Sequence, residues 1–137
     1  HKITQDTIEG AQQFPAVLAH LRPHLNGEIV FQHSRFDQNA IRRACLLHDL
    51  EFPRWRWRDS VKVARKAWPQ LRDNGGFGLA SLRDYLNLEF RHHDGEEDAR
   101  ASAEVVLLAE KKTGRDFAVK KITPPKNDPN QLNLFSY

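Results

Sequence analysis

Two short runs of strand character, set among helical patterns, constrain the fold of this chain most. Residues 28–32, Glu-Ile-Val-Phe-Gln, are too few for a helix and read as a strand. Arg54-Trp55-Arg56-Trp57-Arg58 alternates with period two, as a half-buried strand does, with the tryptophans inward and the arginines in solvent. Around them, apolar residues recur at helical spacing. The first set is Phe14, Val17, Leu18, Leu21 and Leu25; the second is Ala40, Ile41, Ala44 and Cys45 with Leu47 or His48. Val61, Ala64 and Trp68 follow, then Leu79, Leu82 and Leu86, then Ala99, Ala103, Val106 and Ala109. Strands separated by helices predict an α/β fold, a central sheet flanked by helices.

The punctuation agrees. Pro15 suits a first helical turn, and Pro23 with Asn26-Gly27 is expected to end that helix. His33-Ser34-Arg35 reads as a tight loop, and Asp59 or Ser60 as a helix cap. Gly75, Gly76 and Gly78 mark a flexible turn. Asp94 and Glu97 form a capping box for the last helix, which has Lys111 and Lys112 at its carbonyl end and stops at Gly114. The pattern then dissolves, so residues 1–113 form the folded unit, 114–130 a linker and 131–137 a tail. At 137 residues one domain is expected. The net charge of +3 and pI near 9.2 permit a polyanionic partner. The single cysteine, Cys45, excludes an internal disulfide and a cysteine zinc cluster; it reads as a buried free thiol in a reducing, cytoplasmic compartment. No apolar run reaches membrane-spanning length, so no membrane partner is expected, and no signal peptide is visible.

Three side chains carry the chemistry. Asp98 falls in the first turn of the last helix, and helical side chains lean toward the amino terminus, so its carboxylate points back at the loop holding His93. Hard divalent cations take oxygen ligands, and a neutral histidine accepts a proton from water near pH 7. Asp37 follows the first strand at the start of a helix, where catalytic acids often sit; Phe36 beside it is most simply a core residue. Taken singly, Asp37 and Asp98 are ordinary acids favoured by a helix dipole, and His93 is a loop residue. His20 and His24 stand four apart, but no third ligand accompanies them and they read as surface residues. Arg35, Lys62, Arg65 and Lys66 can meet phosphates, although solvated charge is the simpler reading of each.

The order of these elements resembles the DEDDh exonucleases, the proofreading-type 3′→5′ nucleases of the DNA polymerase III epsilon kind. Phe31-Gln32-His33-Ser34-Arg35-Phe36-Asp37 is similar to the family's second motif, a strand followed by His-x-x-Phe-Asp. His93-Asp94-Gly95-Glu96-Glu97-Asp98-Ala99 is similar to the third, His-x-x-x-x-Asp-Ala. Residues 59–69 resemble the middle helix and 79–90 the approach to the third motif, while His1-Lys2-Ile3-Thr4 resembles the His-x-Ile-Thr after the opening sheet. The resemblance implies a ribonuclease H-like fold with a mixed sheet flanked by helices, and two Mg²⁺ or Mn²⁺ ions. It makes Asp37 and Asp98 metal ligands and His93 the general base, acting on DNA 3′ ends in replication or repair. Independently of the resemblance, Arg35, Lys62 and Arg65 are the candidate nucleic-acid contacts.

The family's first motif, Asp-x-Glu on an opening strand, has no counterpart on a strand here. Asp49-Leu50-Glu51 follows a helix and Asp94-Gly95-Glu96 lies inside the third motif. The expectation is therefore a longer enzyme, or a partner chain, that supplies the opening strands and their acids. Gln131-Leu132-Asn133-Leu134-Phe135 resembles the Gln-Leu-x-Leu-Phe peptide by which many bacterial proteins bind the DNA sliding clamp. Gln131 would hydrogen-bond at one end, and Leu132, Leu134 and Phe135 would fill an apolar pocket. The rival reading is a non-catalytic clamp- or DNA-binding module that keeps the nuclease fold; an exoribonuclease comes third.

Overall fold

The structure is a computed structural model and describes residues 4–89 and 95–119. A short helix, α1 (Gln5–Ile8), precedes α2 (Phe14–Leu25), β1 (Ile29–Gln32) and α3 (Phe36–Leu47). Then come β2 (Arg56–Asp59), α4 (Ser60–Ala67), a 3-10 turn (Pro69–Asp73), α5 (Leu79–Leu86) and α6 (Gly95–Thr113). The chain is thus α/β and mostly helical.

β1 and β2 pair in parallel, Ile29 beside Arg56 through to Gln32 beside Asp59. A parallel pair needs a crossover, and α3 supplies it. The expected mixed central sheet is, among the described residues, a small parallel pair with no antiparallel strand. Successive strand side chains point to opposite faces. Phe31 accordingly packs on the larger core, formed by α4, α5, α6 and Phe117, while Val30 and its neighbour Trp57 pack on the smaller one, formed by α2, α3 and Trp55. Cys45 is buried in that smaller core, and burial pushes its thiol pKa up.

The larger core centres on α4 against α6. Leu82, Val105, Ala64 and Ala109 are fully buried there, and burying a side chain such as Leu82 or Val105 contributes about 1.5–3 kcal/mol. Asp59 caps α4: its carboxylate accepts from the Val61 N–H at 2.9 Å and from the Ser34 N–H at 3.2 Å. Gly114, at φ 65°, closes α6 with its N–H on the Glu110 carbonyl.

Several expectations shift. Pro23 does not end α2, which runs on to Leu25 with Pro23 in its last turn. The buried stripe of α4 is Ser60, Val63, Ala64 and Ala67, with Val61 only half-buried. Leu47 is 81% exposed, because α3 ends two residues past its last buried contact, Cys45. Most telling, the buried stripe of α6 is Ala101, Ser102, Val105, Val106 and Ala109, whereas Ala99 and Ala103 are exposed. Phe36, expected in the core, is 73% exposed. Phe36, Ala99 and Ala103 all face one open apolar recess.

Candidate active site

That recess, about 930 Å³, opens between α6 and the ends of β1 and α3. Asp37 and Asp98 both line it. Asp37 enters because β1 ends at Gln32 and a three-residue turn, with Ser34 at φ 75°, starts α3 at Phe36. Asp98 enters from the first turn of α6. Much of the remaining wall is apolar: Leu21, Val30, Phe31, Ile41, Trp55 and Leu107 among others. The indole N–H groups of Trp55 and Trp57, which also line the recess, are buried with no hydrogen-bond partner among the described residues.

Behind the two acids lies a hydrogen-bonded knot. His33 Nε2 meets the Phe77 carbonyl at 2.9 Å, and Nδ1 meets Ser60 Oγ at 2.9 Å. Ser60 Oγ also reaches the Gln32 carbonyl at 3.0 Å and Ser102 Oγ at 2.9 Å. A carbonyl only accepts, so Nε2 carries the proton of a neutral ring. Nδ1 then accepts from the Ser60 hydroxyl and competes with the Gln32 carbonyl for that one proton. Burial lowers the His33 pKa, opposed by the Phe77 carbonyl and by the charges of Asp59 and Asp98. Ser102 lies one turn beyond Asp98 on α6, so the knot ties the helix bearing Asp98 to the end of the strand that leads to Asp37. His33, Ser60 and Ser102 were not foreseen as site residues. The available signal was the place of His33 in the His-x-x-Phe-Asp run, directly after the strand.

His93 lies outside the described residues, as do Asp94 and the tail residues Gln131, Leu132, Leu134 and Phe135. Its loop is flanked by Glu89, whose carbonyl accepts from Arg100 of α6 at 2.7 Å, and by Gly95. Among the described residues no three histidine, cysteine or acidic groups cluster as a metal cage would. Three carboxylates line the recess, Asp37, Asp98 and, about three turns farther along α6, Glu110, which accepts from the Phe117 N–H. Asp37 and Asp98 are oxygen donors of the kind a hydrated Mg²⁺ or Mn²⁺ takes.

Arg35 and Lys62 come together in another groove, with Arg58 and Lys66. Arg65 stands apart from it, its guanidinium 5.6 Å from the centre of the Phe77 ring. His20 and His24 are exposed, their rings 5.6 Å apart.

A parallel strand pair with a helical crossover makes this an α/β protein, with Asp37 and Asp98 lining one recess and a basic groove beside it. Residues 1–106 match the exonuclease family RNase_T, and the chain belongs to that family. The family implies a ribonuclease H-like fold, hydrolytic nuclease chemistry, a nucleic-acid substrate and divalent metal. No curated protein and no solved structure matches the chain. No helix among the described residues is long and apolar enough to cross a membrane.

Proposed function

We propose that this protein is a metal-dependent 3′→5′ exonuclease acting on DNA ends in replication or repair. The observation that supports the reading is that Asp37 and Asp98, from separate motifs, both line one open recess. These two carboxylates would hold divalent cation, which supplies positive charge to the scissile phosphate and its leaving oxygen. His93, neutral near pH 7, would take a proton from the attacking water. Water oxygen then bonds to phosphorus, the bond to the 3′ oxygen breaks, and a nucleoside 5′-monophosphate leaves. The apolar recess beside β1, with its two unpartnered indole N–H groups, suits a further extended segment carrying the additional Asp and Glu that a second ion requires. The tail 131–137 would tether the enzyme to the bacterial sliding clamp through Gln131, Leu132, Leu134 and Phe135.

The test is a 5′-labelled single-stranded DNA incubated with the full-length protein and Mg²⁺ or Mn²⁺. Laddering from the 3′ end is expected, with Asp37→Ala, Asp98→Ala and His93→Ala each lowering it at least a hundredfold. An RNA oligonucleotide in parallel separates a ribonuclease. The rival is a non-catalytic clamp- or DNA-binding module, and it fits the lack of a metal-holding cluster of three histidine, cysteine or acidic groups among the described residues. No laddering, with clamp pull-down lost on Leu134→Ala/Phe135→Ala, would establish it.

A further inference from the structure

We propose that the groove between the start of α3, β2 and the exposed face of α4 is a phosphate-binding channel for the backbone of a single-stranded nucleic acid bound at the Asp37–Asp98 recess. This inference rests on the exonuclease reading of that recess.

The groove, about 390 Å³, carries Arg35, Arg58, Lys62 and Lys66 against one acid, Asp59. The groove thus carries an excess of three positive charges, which favours an anionic ligand. Asp59 is also engaged: its Oδ1 accepts from two backbone N–H groups. Arg35, Lys62 and Lys66 are in no ion pair among the described residues. Arg58 donates to the Phe117 carbonyl at 2.6 Å and the Val119 carbonyl at 2.9 Å, neutral acceptors that leave its charge uncompensated.

Lys62 and Lys66 stand one turn apart on the same face of α4, with Arg35 at the start of α3 across from them. A row of cations on both walls suits a ligand with repeating negative charges better than a single small anion. Gln32 and Trp57 line both this groove and the recess of the two acids, so the two spaces adjoin. A chain with its 3′ end in the recess has its next phosphates within reach of the groove.

The experiment measures anisotropy of a fluorescein-labelled oligothymidylate with the full chain, in Ca²⁺ or EDTA to prevent hydrolysis, across a salt series. Lys62→Glu/Lys66→Glu is expected to weaken binding at least tenfold. The neutral Lys62→Gln/Lys66→Gln should reduce the slope of log affinity against log salt by about 1.4, two contacts at roughly 0.7 each on a single strand. The charge-matched control Arg43→Glu/Arg72→Glu, off the groove, should leave the slope unchanged. Circular dichroism and thermal melting establish that each variant is folded.

No binding by the wild type, or equal loss in the control, overturns the channel. So does displacement of the oligonucleotide by a polyglutamate of matched charge at the same concentration as by unlabelled DNA, since the groove would then be an acidic-peptide site. Normal laddering with unchanged binding in the groove variants removes the channel and leaves the exonuclease reading standing. Groove-dependent binding without laddering does the reverse.

Discussion

At the scale of single residues, His33 shows how a site is held from behind. Both its ring nitrogens are engaged, one on a carbonyl and one on a serine hydroxyl shared with Ser102. Burial, the largest influence, holds its pKa below the ordinary 6.5. The unfolded chain therefore takes up this proton at higher pH than the folded one, and between the two values the unfolded state binds more protons. The contribution to stability is full above about pH 6.5 and is lost as pH falls through that window. Urea unfolding from pH 8 to pH 5 should show the midpoint falling, with a smaller fall in His33→Gln. Parallel pH profiles for the two proteins would contradict this account of His33. Its role was not legible in the sequence, because Ser60 and Ser102 lie far from it along the chain and neither is unusual where it stands. The places of Asp37 and Asp98 in first helical turns were legible, since each follows a local pattern at fixed spacing.

At the scale of elements, the starts of helices were read more reliably than their buried faces. Pro15 opens α2 as expected, and Asp59 caps α4 through its own side chain. Removing that cap should cost about 1 kcal/mol. Asp59→Ala is thus expected to lower the urea midpoint by that equivalent with an unchanged slope; an unchanged midpoint would mean that the carboxylate does not hold the helix. The stripe of α6 was misjudged for a physical reason. Ala99, Ala103 and Val106 are an apolar row, and periodicity reports that a face is apolar without saying what covers it. Here Ala99 and Ala103 look onto the open recess, and the neighbouring row from Ala101 to Ala109 packs against α4 and α5. Phe36 was misplaced by the same inference from type to burial.

At the scale of the whole molecule, the α/β class followed from two short strand patterns among helices, whereas the parallel pairing of those strands was not foreseen. The size of the sheet did not follow: it is two-stranded among the described residues, and strand pairing is a long-range choice that local patterns leave open. The arrangement that matters is global: Asp37 and Asp98 on one largely apolar recess, and four basic side chains on a groove beside it. Neither grouping is visible as a cluster along the sequence.

The central claim is that Asp37 and Asp98 share a divalent cation, and paramagnetic broadening by Mn²⁺ tests it without reference to activity. Amide signals of both residues in a ¹⁵N-labelled protein should broaden together as Mn²⁺ is added, and Asp37→Asn should reduce the effect at Asp98. Broadening confined to one of them, or centred on acids away from the recess, would contradict the account.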